Sequence, residues 1–320
     1  MGNAKQTLEE VKQRLRGVIV IQLTPFNESA TEIDEVALRD NTRFMIEHGI
    51  VEGRGVLVVG GSNGEGFSLS NEEYRQLIDV VVDEAAGRVP VCVGCVRPAT
   101  KPVITLAQYA EEAGADCVMV LAPHYYPNEP ADTVYAHYKA LADATNIPIM
   151  IYNNSWVTGQ DLSVDLLRRL AEIDQIVAVK ECTPYFYKLR EVAMHLADRF
   201  AILPCLTEYT MPFDYQLGAV GFISVIANFK PEYALEIHDV CLANDVERAH
   251  EIYAQSRALN VFIETGMGGD GSPAWETSVC KEMCRIAGRP MGKVERPPLV
   301  QLSEDQRREL RRLMVEAGLL

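Results

Sequence analysis

The sequence lacks the features that mark several protein classes. It has no apolar run of the roughly 18 to 20 residues that a membrane-spanning helix needs, and residues 1–16 are polar, without the apolar centre of a signal peptide. Basic side chains are in the minority, since there are 30 Lys and Arg but 45 Asp and Glu, a formal net charge of −15 at pH 7 with His neutral. This balance disfavours nucleic acid and anionic membranes as partners. We therefore expect a soluble, cytoplasmic protein.

The cysteines and histidines also lack the spacing of a disulfide framework or a metal site. Eight cysteines are scattered over 320 residues, and we expect them to be free thiols. Cys92 and Cys95 form a C-x-x-C pair inside an apolar, strand-like run, whereas redox pairs usually open a helix and a structural zinc site needs a second ligand pair. Packing in the core is therefore favoured for this pair. The six histidines have no metal-ligand spacing, so we expect no metal.

Short apolar runs rich in β-branched residues alternate with segments of helical periodicity. Strands are predicted at residues 17–23, 55–59, 89–93, 117–121, 148–152, 176–180, 201–206 and 221–224, and helices at 34–47, 71–85, 102–112, 131–145, 164–172 and 184–197. Strands that are apolar on both faces and alternate with helices indicate a parallel sheet, and eight such units predict an α/β fold of the closed (β/α)8 TIM barrel type. A doubly wound open sheet is disfavoured because the first strand-to-helix turn has no glycine-rich phosphate loop.

The same pattern predicts three parts of the chain. These are an N-terminal helical segment at 1–16, the (β/α)8 catalytic barrel at 17–232 and a C-terminal helical domain at 233–320, where helical periodicity continues without further strands. In TIM barrels the chemistry lies at the C-terminal ends of the strands and in the loops that follow them. Candidate functional residues are therefore sought there.

Lys180 closes the sixth predicted strand, in the run Ile176-Val177-Ala178-Val179-Lys180. Burial by this apolar run disfavours the ammonium form, so we expect a lowered pKa. A neutral lysine amine can attack a ketone and form a Schiff base, which then accepts electrons during C–C cleavage. The alternative is a structural lysine paired with neighbouring Glu181 or another carboxylate.

Three further features occur at predicted strand ends. The loop at 60–66 has four glycines around Ser62 and Asn63, a composition that brings backbone amides and a hydroxyl close to an anion, although many such loops are only turns. Tyr152 ends the fifth strand, and Tyr125 lies in the loop after the fourth. Phenols at these places can relay protons, and packing is the alternative for each.

Several motifs follow one another along nearly the whole chain. They are Leu23-Thr24-Pro25-Phe26, Gly61-Ser62-Asn63-Gly64-Glu65, Tyr152-Asn153, Thr158-Gly159, Val179-Lys180-Glu181 and Arg296-Pro297-Pro298-Leu299. Together they resemble the dihydrodipicolinate synthase and N-acetylneuraminate lyase family of Schiff-base class I aldolases, which use pyruvate. The resemblance implies that Lys180 forms the covalent imine, without another cofactor, and that Tyr152 moves protons to and from the carbinolamine and the substrate oxygen.

The resemblance also implies roles for the residues around this pair. Gly61, Ser62 and Asn63 would hold the pyruvate carboxylate; the Ser-Asn pair is similar to that of hydroxy-oxoglutarate aldolases. Tyr125 would complete the proton relay across a subunit contact, and the main-chain oxygen of Ile223 would contact the substrate. These contacts imply a homo-oligomer, a dimer or a tetramer.

The second substrate is less defined. Dihydrodipicolinate synthases have an arginine for a substrate carboxylate where this chain has Val157, and Arg97 is the remaining candidate for that task. Glu208 and Thr207, after the seventh strand, would hydrogen-bond a polyol chain, although Glu208 also suits the dipole of the helix that follows. Trp156 would instead favour an apolar or aromatic aldehyde.

The expected activity is therefore that of a lyase or aldolase that forms or cleaves a C–C bond between pyruvate, or another 2-oxo acid, and an aldehyde. The substrate expected on this basis is of the sugar-acid or hydroxy-oxo-acid type. Three alternatives remain open: a true 4-hydroxy-tetrahydrodipicolinate synthase of lysine biosynthesis, a dehydratase of 3-deoxy-2-oxo sugar acids, and a 2-oxo acid binding protein without turnover.

Overall fold

Eight parallel strands form the centre of the molecule. The structure is a computed structural model that describes residues 6–205, 211–265 and 273–320, and the side chains of 211, 212 and 273–275 are outside the description. The strands are β1 (Gly17–Ile21), β2 (Gly55–Val59), β3 (Val91–Cys95), β4 (Cys117–Leu121), β5 (Ile149–Asn153), β6 (Ile176–Glu181), β7 (Ala201–Pro204) and β8 (Gly221–Ser224). Their spatial order is β7-β6-β5-β4-β3-β2-β1-β8. Val220 N–H donates to Ile202 O over 3.1 Å between the two outermost strands, so the sheet is a nearly closed barrel. The predicted (β/α)8 fold is confirmed.

Helices surround this barrel and extend beyond it. They are α1 (Leu8–Arg14), α2 (Glu35–Glu47), α3 (Asn71–Ala85), α4 (Thr100–Ala113), α5 (Ala131–Ala144), α6 (Ser155–Thr158), α7 (Val164–Leu170), α8 (Phe186–Leu196), α9 (Met211–Gln216), α10 (Pro231–Leu242), α11 (Val246–Thr265), α12 (Pro273–Ile286) and α13 (Glu304–Glu316). Helix α10 follows β8 and packs on β1, whereas α11, α12 and α13 pack on one another. The division of the chain at residues 232 and 233 stays a prediction, and that boundary falls inside α10.

The strands are buried over their whole length, which explains why their sequences are apolar at consecutive positions rather than at alternate ones. All eight cysteines lie within the described residues and are free, as predicted. Cys92 and Cys95 are buried in β3, which agrees with a packing role. No helix in the described part of the chain is long and apolar enough to cross a membrane.

Candidate functional site

The register between β5 and β6 brings the two central residues of the site together. Tyr152 pairs with Lys180 at the C-terminal ends of these strands, and both side chains are buried, each with 3% of its surface exposed. The Lys180 Nζ lies 3.9 Å from the centroid of the Tyr152 ring. Parallel neighbours in register project to the same face of a sheet. The register of β5 with β6 therefore places these two side chains side by side.

The Tyr152 hydroxyl has two partners. Ser62 Oγ lies 3.2 Å from it, and Asn154 Nδ2 donates a hydrogen bond to it over 2.9 Å. Asn154 is not among the predicted site residues, yet it lies two positions after Tyr152, at the period that returns a strand residue to the same face. That period is the signal by which the sequence could have identified it.

The charge state of Lys180 differs from the expectation. Burial lowers the pKa of this lysine, as predicted, but the Cys205 thiol, the Tyr152 phenol and the Cys182 thiol raise it when they are ionised, and the balance is a raised pKa. The predicted lowering of the Lys180 pKa is therefore wrong for the free protein, because the interactions with Cys205, Tyr152 and Cys182 outweigh the effect of burial. The neutral amine has to arise by transfer of a proton from Lys180. Burial also raises the pKa of Tyr152, so its phenol is protonated at neutral pH.

The Glu181 side chain lies on the opposite face of β6 from Lys180 and binds other residues. Its carboxylate accepts from Asn153 Nδ2 over 2.9 and 3.0 Å and lies 3.4 Å from Lys188 Nζ, which also pairs with Asp161. Burial raises the pKa of Glu181 to about 7. The alternative in which Lys180 pairs with Glu181 is wrong, because these consecutive strand residues point to opposite faces and Glu181 binds Lys188 instead.

The glycine-rich loop at 60–66 packs closely against β3. A Cβ on Gly94 would lie 2.9 Å from the Gly60 oxygen, so only glycine lets the loop come this close. The buried Tyr74 hydroxyl donates to Gly60 O over 2.7 Å, and Thr24 Oγ1 donates to Gly64 O over 2.7 Å. The loop is thus fixed from two neighbouring elements.

Two backbone amides of this fixed loop belong to residues of the candidate site. Neither the Ser62 N–H nor the Asn63 N–H has a partner among the residues that the structure describes. Two adjacent amides on a rigid turn suit a small anion such as a carboxylate.

A residue of the C-terminal helices also reaches this loop. Asn63 Nδ2 donates to Glu276 Oε1 over 2.9 Å, and five residues further along α12 the buried Lys281 pairs with the buried Glu65 carboxylate. The Lys281 Nζ is also 3.6 Å from Glu295. Neither Glu276 nor Lys281 is predicted from the sequence, because nothing in a helix far from the strands indicates that it lies over a strand end.

A cavity of about 280 Å³ opens beside Ser62. Its wall is mostly apolar and consists of Ser62, Phe67, Val96, Leu121, His124, Trp156, Val157 and Thr277. None of these residues is a lysine, an arginine or a carboxylate. Arg97, the candidate for a substrate carboxylate, donates instead to Gly66 O over 2.7 Å and Leu69 O over 2.9 Å, so its guanidinium is already used by the main chain.

The remaining predicted residues are less central in the single chain. Tyr125 is 76% exposed and makes an edge-to-face contact with Tyr126 rather than with Tyr152. Ile223 is buried in β8 beside β1, and Gly61 lies in the loop next to Ser62. Thr207 and Glu208 lie outside the described residues.

Comparison with known proteins agrees with this geometry. The model of the dihydrodipicolinate synthetase family matches residues 14–317. The 4-hydroxy-tetrahydrodipicolinate synthase of Methanopyrus kandleri is 34% identical over 310 residues, which cover 96% of this chain and 98% of the relative. The relative from Methanothermobacter thermautotrophicus that bears the same name is 36% identical over 260 residues, or 79% of this chain and 89% of that one.

A solved structure adds the ligand of a relative. The crystal structure of the chloride-inhibited dihydrodipicolinate synthase from Acinetobacter baumannii, complexed with pyruvate, is similar with a TM-score of 0.84 and 29% identity, covering 96% of this chain and 100% of that one. The predicted family is confirmed: the chain belongs to the dihydrodipicolinate synthetase family, whose members are pyruvate-dependent class I aldolases and lyases.

Proposed function

We propose that the protein joins pyruvate to an aldehyde, or cleaves the corresponding 4-hydroxy-2-oxo acid, through an imine on Lys180. The observation that carries this proposal is the buried Lys180 amine against the Tyr152 ring, with the Tyr152 hydroxyl held by Ser62 and Asn154. The geometry supplies a nucleophile and a proton donor within one site, which is what imine formation requires.

The steps follow from these groups. The pyruvate carboxylate binds the Ser62 and Asn63 amides, and the neutral Lys180 amine attacks the ketone carbon while Tyr152 protonates the ketone oxygen. The nitrogen then gives one of its two protons to Tyr152, which passes it to the new hydroxyl, and the hydroxyl leaves as water so that the iminium ion remains. In the cleavage direction the C3–C4 bond breaks and its electron pair moves to the iminium nitrogen. The hydroxyl of the 4-position loses its proton as the aldehyde forms.

Release of pyruvate completes the cycle. The enamine carbon takes up a proton, and water then hydrolyses the iminium ion to return the Lys180 amine. No metal takes part in this scheme, since the positive imine nitrogen accepts the electrons of the broken bond.

The cavity beside Ser62 supports an uncharged apolar or aromatic aldehyde. Five of its wall residues are apolar, Trp156 among them, and its volume of about 280 Å³ is at the lower end of the roughly 300–1,000 Å³ of small-molecule sites. A buried carboxylate without a cationic partner would be costly here. Thr207 and Glu208 are the residues expected to hold the polyol chain of a sugar-acid substrate. Both lie outside the described part of the chain.

A second candidate is the activity that names the relatives, 4-hydroxy-tetrahydrodipicolinate synthase. It is favoured by the 34% identity over almost the whole length of the Methanopyrus kandleri protein. Against it, Val157 stands where the dihydrodipicolinate synthases that this chain resembles have a carboxylate-binding arginine. Arg97 donates to Gly66 O and Leu69 O instead.

We also infer a homo-oligomer in the cytoplasm. The exposed aromatic side chains of Tyr125 and Tyr126 follow β4 at the same end of the barrel as Lys180, where a second subunit could cover them. Free thiols at all eight cysteines suit a reducing compartment.

The test is product analysis with pyruvate and three aldehydes: benzaldehyde, aspartate semialdehyde and glyceraldehyde. We expect condensation with benzaldehyde to be the most efficient. The variant Val157→Arg should lose efficiency with benzaldehyde and gain it with aspartate semialdehyde, because it adds a cation to the cavity wall. Faster turnover of aspartate semialdehyde by the unchanged protein would favour the synthase, loss of water from a 3-deoxy-2-oxo sugar acid would favour the dehydratase, and binding without turnover would contradict an enzyme.

A further inference from the structure

The first turn of α12 places a carboxylate beside the loop that is proposed to hold pyruvate. Glu276 accepts from Asn63 Nδ2 over 2.9 Å, and Thr277, the next residue, lines the cavity together with Ser62. The cavity in which we place the aldehyde part of the substrate thus borders the turn of α12 that carries Glu276. In cleavage, the group that removes the proton from the 4-hydroxyl has still to be assigned.

We propose that Glu276 is the general base of C–C cleavage, which takes the 4-hydroxyl proton as the aldehyde forms and returns it in the condensation direction. The inference rests on the proposed function and assigns to Glu276 the reaction at the aldehyde, while Tyr152 serves the ketone oxygen of pyruvate. In cleavage the O–H bond breaks, its proton passes to the Glu276 carboxylate, and the oxygen lone pair forms the carbonyl as the C3–C4 electrons move to the imine nitrogen.

Consecutive residues of the loop contact the two proton-transfer groups, Tyr152 and Glu276. Ser62 contacts the Tyr152 hydroxyl, and Asn63 contacts Glu276. A pyruvate held by the amides of both residues thus has a phenol near one side of the turn and a carboxylate near the other. Asn63, the amide at the second position of the pair, directs its side chain to α12.

The electrostatics of Glu276 suit this role. Burial raises the pKa of this carboxyl, the hydrogen bond from Asn63 and the positive charge of Lys180 lower it, and the negative charge of Glu264 on α11 raises it. The net direction is upward, which makes the carboxylate a stronger base than an exposed one. The positive charge of Lys180 persists in the iminium ion. It therefore continues to interact with the Glu276 carboxylate during cleavage.

The helix that carries Glu276 is anchored to the same loop. Lys281 pairs with Glu65, so α12 is fixed to the loop by a buried ion pair five residues beyond Glu276. His124 is the titratable residue on the cavity wall itself, and its Nδ1 lies 3.2 Å from Ala122 O. The experiment therefore has to distinguish Glu276 from His124 as the general base.

The experiment compares two half-reactions of the full-length protein. Exchange of the pyruvate methyl protons in D2O requires the imine and the enamine but no aldehyde. Cleavage of 4-hydroxy-2-oxo-4-phenylbutanoate also requires removal of the 4-hydroxyl proton. We expect Glu276→Gln, which keeps an acceptor for Asn63, to lower kcat for cleavage by about 10²–10⁴-fold, the usual contribution of a general base. Exchange should continue at the parent rate. The limb of the cleavage pH profile that rises with pH should disappear, since it reports ionisation of Glu276.

Controls make each outcome decisive. Glu282→Gln changes another carboxylate of α12, one that pairs with Arg285 over 3.0 Å, and should leave cleavage unchanged. Equal loss of exchange and cleavage in Glu276→Gln would overturn the inference, as would full cleavage by this variant or loss of cleavage in His124→Gln alone. If the unchanged protein does not exchange pyruvate protons at all, the proposed function fails, and the role of Glu276 fails with it.

Discussion

At the scale of the residue, the Tyr152 hydroxyl connects the lysine to the substrate-binding loop. It lies within hydrogen-bond distance of Ser62 and Asn154, while the Tyr152 ring supports the Lys180 ammonium. The ring and the hydroxyl therefore have different tasks. The ring stabilises a buried cation, and the hydroxyl is the group that we propose to transfer a proton.

Tyr152→Phe separates these tasks, because it removes the hydroxyl and keeps the ring. We expect kcat to fall by about 10²–10⁴-fold, the loss typical of a missing proton donor, while pyruvate binding is largely retained. Single-turnover kinetics of imine formation with pyruvate measures the effect. Tyr138→Phe is the matched control, since it also removes a buried tyrosine hydroxyl, one on α5 that donates to the main-chain oxygen of Val120 in β4 over 2.8 Å. Equal turnover by Tyr152→Phe and the parent would contradict this role.

Residue types at strand ends made much of the site predictable. Lys180, Tyr152, Ser62 and Asn63 all follow from the barrel rule combined with their chemistry. The charge state of Lys180 does not follow, because it depends on Cys182 and Cys205, whose proximity comes from the pairing of β6 with β7.

At the scale of the element, α12 and the loop at 60–66 are joined by a charge pair without access to solvent. Lys281 and Glu65 both have fully buried side chains, and the Lys281 Nζ also lies 4.6 Å from the centroid of the Phe26 ring. A buried carboxylate that loses its cation is left without compensation for its lost hydration.

Lys281→Met should therefore lower the free energy of unfolding by about 3–5 kcal/mol, the cost of breaking a buried ion pair from one side. The KM for pyruvate should rise as well, because Glu65 belongs to the loop that is proposed to hold the pyruvate carboxylate. Urea unfolding measures the stability change. In Lys293→Met the lost pair with Glu28 is exposed, so about 0–1 kcal/mol is expected. Similar losses in both variants would contradict a structural role for the buried pair.

The elements themselves were largely predictable. Strands β2, β4 and β8 have the predicted bounds, and so does helix α3, which begins after a capping box of Ser70 and Glu73. Helix α8 begins at Phe186 rather than at 184, because Thr183 Oγ1 accepts from Tyr185 N–H over 3.2 Å and forms a local turn first. The contact of α12 with the loop was not predictable, since it depends on the packing of the C-terminal helices against the barrel.

At the scale of the whole molecule, the cluster around Glu181 links stability to pH. Its pKa is raised from 4.5 to about 7, so the folded protein keeps a proton that the unfolded chain has released between these values. The stabilisation is fully present below pH 4.5 and is lost as the pH rises through 7.

Glu181→Gln should remove this dependence, because the amide mimics the protonated carboxyl. We expect the parent to lose stability relative to this variant by up to about 1.4 kcal/mol per pH unit between pH 5 and 7. The comparison cancels the opposite effect of His137, whose pKa is lowered to about 4 by burial in both proteins. Urea midpoints at a series of pH values provide the measurement, and parallel pH profiles would disprove the assignment.

Capture of a 2-oxo acid by Lys180 as an imine is the step on which the whole proposed reaction depends. Incubation with pyruvate and sodium borohydride, followed by peptide mapping, detects this imine as a stable adduct. We expect a reduced pyruvate adduct on Lys180 in the parent and none in Lys180→Arg, because a guanidinium does not form the imine. An adduct on another lysine, or an unmodified parent under conditions in which it turns over a 4-hydroxy-2-oxo acid, would contradict it.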